Sequence, residues 1–209
     1  GKNHTLSADG NLIVTGGTFD QDPSAYLAQG YITKYNETTS RYEAFKGVAK
    51  IENKYFASIQ DAIDAAQNND VIKVLNYIYL SDDKELNTLD GKYNTYFKVE
   101  DKTVTIDLNG KIIYVEYSNP NMLVGVFSTE NNGHLTLMDS GVRGEGEVDI
   151  TSGGNVYALI VNYEDGCSIT VNGGTYKLDK AKDSHMYTGC NEGIIVNGGT
   201  FQLGNIGAG

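Results

Sequence analysis

Val171-Asn172-Gly173-Gly174-Thr175-Tyr176 recurs as Val196-Asn197-Gly198-Gly199-Thr200-Phe201, an offset of 25 residues. A relative stands at Val14-Thr15-Gly16-Gly17-Thr18-Phe19, and a weaker one at Ile150-Thr151-Ser152-Gly153-Gly154. Each is a short β-branched run that meets a glycine pair, and three of the four continue with Thr and an aromatic. Self-similarity at a period of about 20–25 residues marks stacked structural repeats. Glycine supplies the positive-φ conformations that tight corners between short strands need. Strands stacked in register lie about 4.8 Å apart, so like residues sit over like. Asn172 is then expected against Asn197, and Tyr176 against Phe201.

From this repeat the expected fold class is all-β: a right-handed, single-stranded parallel β-helix, or solenoid. Its elements follow along the chain. Residues 11–19 read as a strand ending at the glycine pair. Asp22-Pro23 starts a short helix that stops at Gly30. Tyr31–Tyr35 and Arg41–Phe45 read as a hairpin closed by the polar turn 36–40. A second hairpin turns at Glu52-Asn53. Ser58 then caps a helix with Asp61 three residues on, and Ile59, Ala62, Ile63 and Ala66 form one apolar stripe. This amphipathic helix is expected to cap the open end of the helix of strands, with Ile59 and Ile63 across the first turn. A strand from Val71 to Leu80 follows, and five or six turns of about 22–25 residues each are expected from there on. Residues 1–46 are read as the terminal segment of a preceding unit, and 47–209 as capping hairpin, helix and coils. A stop so soon after the last repeat is expected of a piece of a longer array.

Composition narrows the function. The chain has 209 residues and a net charge of −11, which disfavours nucleic acid and anionic membrane surfaces as partners. No apolar run reaches the length of a membrane span. No leader is visible, but the chain starts at Gly1, so this says nothing of location. Glycine is abundant at 25 residues against 2 prolines, as many tight corners require. Cys167 and Cys190 lie off the register of the repeat, so two thiols are expected in preference to a bridge.

Sites of chemistry are sparse. The acidic pairs Asp82-Asp83 and Glu100-Asp101 flank polar loops and read as solvated acids. Arg143 lies in the glycine-rich connection 141–146 and reads as a surface charge. His4, His134 and His185 have no Cys partners at zinc spacing. Asp82, Asp83 and Asp90 are acids of the kind that hold Ca²⁺, but they lack a recognised loop spacing. No catalytic residue, metal or cofactor is expected. The tyrosines carry the one binding signal. Tyr77 and Tyr79 alternate with Ile78 and Leu80, so they point outward if the aliphatic pair points inward. Tyr114 or Tyr117 is expected to stack beside them. An exposed aromatic ridge on a rigid sheet is a platform for a glycan or a protein.

The stretch from Val48 to Leu80, with Ser58-Ile59-Gln60-Asp61-Ala62-Ile63 at its centre, resembles the opening of a tandem β-helix module of large bacterial cell-surface and secreted proteins, common in gut anaerobes. Ile106-Asp107-Leu108-Asn109-Gly110-Lys111 and Leu135-Thr136-Leu137-Met138-Asp139-Ser140 resemble it too, and Gly16–Leu27 resembles its closing segment. The resemblance implies an extracellular or cell-surface location and supplies no catalytic residues. Parallel β-helices also carry pectin lyases and polygalacturonases, but the Asn-Thr-Asp, Gly-His-Gly and Arg-Ile-Lys motifs of the latter are absent. The expected function is a non-catalytic scaffold or adhesion module that presents a face to glycans or to a host or bacterial surface protein. A dedicated carbohydrate-binding module is the first alternative, and a polysaccharide lyase or glycoside hydrolase the second. A monomer is expected unless the strand edges at the C-terminal end are left uncovered.

Overall fold

The computed structural model describes residues 12–81, 86–89, 93–117, 124–152, 156–162, 164–177, 186–188 and 193–202. The first part of the chain is antiparallel. β1 (Gly17–Phe19), β2 (Tyr31–Asn36) and β3 (Arg41–Lys46) form a three-stranded sheet in the order β1-β3-β2. The expected short helix is one 3₁₀ turn, Ser24–Tyr26, and the Asp22 carboxylate accepts from the Ser24 N–H and hydroxyl. β4 (Ala49–Ile51) and β5 (Lys54–Phe56) form the second hairpin.

Helix α1 (Ile59–Ala65) forms where its stripe and cap place it. The Ser58 Oγ accepts from the Asp61 N–H at 2.9 Å. Ile59 and Ile63 are buried, and the helix packs on β4, β5 and the strands β6 (Asp70–Val74) and β9 (Tyr93–Glu100). The long strand expected from Val71 to Leu80 is two strands, β6 and β7 (Ile78–Ser81), which belong to different sheets. Between them the Asn76 amide donates to the Gly47 carbonyl.

The remaining strands are β8 (Asn87–Leu89), β10 (Thr103–Asp107), β11 (Ile112–Glu116), β12 (Val124–Glu130), β13 (His134–Met138), β14 (Glu147–Ser152), β15 (Val156–Asn162), β16 (Ser168–Val171), β17 (Thr175–Lys177), β18 (Met186–Thr188), β19 (Ile194–Val196) and β20 (Thr200–Gln202). They fall into three sheets, ordered β19-β16-β13-β10-β6-β4-β5, β20-β17-β14-β11-β7 and β18-β15-β12-β9-β8.

The expectation of a single right-handed parallel β-helix is therefore corrected. The described residues form four sheets, one wholly antiparallel and two mixed, not one uniform solenoid. The reason lies in the connections. Two strands joined by a few residues can pair only antiparallel, since a parallel pair needs a crossover of a dozen residues or more. The turns at 36–40 and Glu52-Asn53 impose the two expected hairpins, and the short step from β8 to β9 imposes an antiparallel pair that was not expected. The spacing differs from expectation as well. Val71, Thr105, Thr136, Thr170 and Ile195 stand side by side on successive strands. Only the step from Thr170 to Ile195 keeps the period that the sequence displays, and the three earlier steps are longer.

The pairing of the repeat itself is as its side chains require. Val171 lies beside Val196 and Tyr176 beside Phe201, in parallel register. The Asn197 amide donates to the Asn172 side-chain oxygen at 2.9 Å, and the Tyr176 and Phe201 rings stack with centroids 5.1 Å apart. The second glycine of each pair takes positive φ: +115° at Gly17, +96° at Gly174 and +102° at Gly199. An L side chain rarely adopts these values, so the glycine pair fixes the corner.

Rows of apolar side chains fill the interior between the sheets. Ile72, Ile106, Leu137 and Val171 form one row, and Ile113, Val148 and Tyr176 another, all fully buried. Each such side chain contributes about 1.5–3 kcal/mol relative to exposure. Tyr176 brings a hydroxyl into this core and donates it to the Gly173 carbonyl at 2.8 Å. Burial, and then the nearby Asp139 carboxylate, push its phenol well above the ordinary tyrosine range. A folded-state value raised above the unfolded one contributes stability that is complete below the unfolded value, about 10, and is lost as pH rises beyond it. Alkaline ultraviolet titration is expected to show Tyr176 ionising only with unfolding. Tyr176→Phe should shrink that late, cooperative step by one phenol's absorbance, and a step of unchanged size in the variant would contradict the assignment.

Candidate functional site

The outer face of the β20-β17-β14-β11-β7 sheet carries the binding signal. Its inward residues alternate with outward ones, and register aligns the outward residues in rows. Tyr79 lies beside Tyr114, Tyr114 beside Asp149, Asp149 beside Lys177 and Lys177 beside Gln202. A second row runs through Ile112, Glu147, Thr175 and Thr200.

The expected tyrosines come together in part. The Tyr79 and Tyr114 rings are stacked, with centroids 4.8 Å apart and planes 13° from parallel. That separation equals the strand spacing, so the sheet itself sets the stack. β7 is the edge strand here, and Tyr79 stays 67% exposed, whereas Tyr114 is half-buried behind it. Desolvation, and then the neighbouring Tyr79, Glu147, Asp149 and Tyr77, hold the Tyr114 phenol above its ordinary value, so it stays a neutral donor. Tyr77 precedes β7 and is 58% exposed. The Lys111 ammonium sits 5.8 Å from its ring centroid. Tyr117 does not join this face: it is buried and meets Tyr96 edge-on.

Next to the stack lies a groove of about 410 Å³, walled by Tyr77, Ile112, Glu145, Glu147, Thr175 and Lys177. Lys177 and Glu147 form a 2.8 Å ion pair across neighbouring strands. The hydrogen bond to Glu147 holds the Lys177 ammonium above its ordinary value against a smaller opposing desolvation. Sequence reasoning missed this wall. Glu147 and Thr175 are distant in the chain and meet only through strand pairing. The available signal was Lys177 directly after the Thr-Tyr of the repeat, which places it on the outward side.

Two other hollows have less to offer a ligand. The hollow of about 540 Å³ between α1 and β7–β9 is lined by Gln60 and Asn87. Gln60 is already committed: its oxygen accepts from the Lys98 N–H and the Asn87 amide, and its amide donates to Asp64 and to the Lys98 carbonyl. The hollow of about 470 Å³ beside β2 is lined by Tyr31, Thr33 and Tyr55.

Glu100 bonds Lys98 at 3.0 Å and accepts from the Asn131 amide at 3.1 Å, so it holds structure. Asp101 is exposed at a turn with φ of +53°. Arg143 is exposed, 3.8 Å from Glu145. His134 lies beside Ser168 in register, with Nδ1 2.8 Å from the hydroxyl, and no acid completes that pair among the described residues. His4, His185, Asp82, Asp83 and Asp90 lie outside the described residues. So does Cys190, while Cys167 is buried. Among the described residues no three His, Cys, Asp or Glu side chains gather as metal ligands. No described helix is long and apolar enough to cross a membrane.

No protein-family model, curated protein or solved structure matches the chain.

Proposed function

We propose that the protein is a non-catalytic scaffold that displays its tyrosine face to neutral glycans outside the cell or at its surface. One observation carries the reading: Tyr79, exposed on a sheet edge and stacked on a half-buried Tyr114, beside a polar groove. A pyranose has an apolar face that packs on an aromatic ring and hydroxyls that need directed partners. Tyr79 offers the ring, held by Tyr114 behind it. Glu147, Thr175 and Lys177 offer acceptors and donors in the groove. The sheet fixes all of them before any ligand arrives, which limits the ordering cost of binding. The charge selects among sugars. Glu145, Glu147 and Asp149 line this face of a chain with net charge −11, so uronic and sialic acids are disfavoured. The location rests on the resemblance to tandem modules of bacterial surface proteins.

A glycan array probed with the intact chain tests this. Neutral oligosaccharides are expected to score above acidic ones. Tyr79→Ala should weaken the best ligand roughly tenfold, the equivalent of about 1.4 kcal/mol and within the range of an aromatic contact. Tyr79→Phe should retain most of the affinity. Equal binding by wild type and Tyr79→Ala, or product release from any polysaccharide, would refute the reading.

A further inference from the structure

Among the described residues the ladder runs as far as β19 and β20, and residues 12–19 carry the same pattern as that last rung. Leu12-Ile13-Val14-Thr15-Gly16-Gly17-Thr18-Phe19 matches Ile194-Ile195-Val196-Asn197-Gly198-Gly199-Thr200-Phe201 at six of eight positions. The latter segment itself stacks on Ile169–Tyr176, residue for residue. Among the described residues β19 and β20 each have a strand on one side only, and β1 is likewise an edge, with β3 on its other side. We infer that two copies of this chain associate head to tail, residues 12–19 of one adding to residues 194–202 of the other as the next parallel rung.

The bonds of the existing rungs say what the new one would form. The Val171 carbonyl accepts from the Asn197 N–H at 2.8 Å, and the Thr200 N–H donates to the Gly174 carbonyl at 2.9 Å, as the Thr175 N–H does to Gly146 at 2.8 Å. One step on, the Thr15 N–H would donate to the Val196 carbonyl, and the Thr18 N–H to the Gly199 carbonyl. Phe19 would extend the Tyr176–Phe201 stack, and both Phe19 and Phe201 are only half-buried in the single chain. Ile13 and Ile195, 66% and 48% exposed, would meet each other. Thr15 in place of Asn ends the amide ladder at this junction. A strand edge with an apolar end is a template for another strand, and a contact of unlike ends propagates without closing.

The test uses two substitutions at exposed sites, Ile13→Lys at the head and Ile195→Lys at the tail, with sedimentation velocity on the intact chain. The wild type is expected to show an average mass that rises with concentration. Each variant alone should stay near monomer mass, because each places a lysine against an isoleucine in every junction. Mixed in equal amounts they should form a dimer, since the tail of the Ile13→Lys chain and the head of the Ile195→Lys chain are both intact. A wild type that stays monomeric at every concentration overturns the inference. So do variants that associate as the wild type does, or a mixture that fails to dimerise.

Discussion

Gly133→Ala is expected to lower the unfolding midpoint by roughly 10–15 °C, the equivalent of about 4 kcal/mol in a chain of this size. Gly133 follows Asn131 and Asn132, both at positive φ, and leads into β13. A methyl group there would lie inside the Val99 carbonyl oxygen of the neighbouring rung and 2.8 Å from the Glu130 carbonyl oxygen. Both obstacles are backbone, so neither can swing aside. The Gly133 N–H donates to Glu130 and its carbonyl accepts from Ser168, so any shift also disturbs β12 and β16. Overpacking against a flexible side chain costs about 1–3 kcal/mol, and immovable backbone takes the cost to the upper end or beyond. Gly144→Ala is the control. Nothing lies within 4 Å of a methyl there, and only its φ of +64° opposes it, at about 1 kcal/mol. Thermal denaturation of both variants checks the contrast, and equal midpoints would contradict it.

Asp139→Ala is expected to cost about 3–5 kcal/mol. The carboxylate accepts from three backbone N–H groups, of Gly110 at 2.7 Å, Gly141 at 3.0 Å and Gly146 at 2.9 Å. It thereby gathers the turn after β10 and the loop before β14 around one anion. Hydrogen bonds to a charged acceptor contribute about 1.5–3 kcal/mol each, partly recovered where water can enter. Asp139→Asn should cost less, about 1–3 kcal/mol, because an amide oxygen can keep Gly110 and Gly141 while its NH₂ faces the Gly146 N–H. The loop it secures carries Glu145, a wall of the groove, so Asp139→Asn should also weaken glycan binding where it leaves the chain folded. Urea denaturation of the two variants in parallel orders these costs, and a milder loss for Ala than for Asn would contradict the account.

Particular residues show what was legible in the sequence. The Gly-Gly corners were legible because only glycine meets their φ, and the side-by-side placement of 171–176 and 196–201 followed. Helix α1 was legible because Ser58 and Asp61 announce its start. The outward direction of Tyr77 and Tyr79 followed from Ile78 and Leu80. The overall architecture was not legible. The hairpins closed at 36–40 and 52–53 were legible from their polar turns, whereas the antiparallel β4–β6 and β8–β9 pairs, which make two of the sheets mixed, were not. The length of the earlier steps was not legible, because they exceed the displayed repeat and include connections of differing length. Tyr117 does not join the tyrosine face, because Ile113, Val115 and Tyr117 share an inward parity. The groove wall of Glu147, Thr175 and Lys177 depended on register between distant strands, which local pattern does not carry.

The most direct measurement of the tyrosine face is an NMR titration of the intact, isotope-labelled chain with a neutral oligosaccharide series. The account predicts that ring signals of Tyr79 and Tyr77 and amide signals of Glu147, Thr175 and Lys177 shift together and saturate along one binding curve. Shifts that cluster elsewhere on the molecule, or spectra unmoved by every neutral sugar in the series, would contradict it.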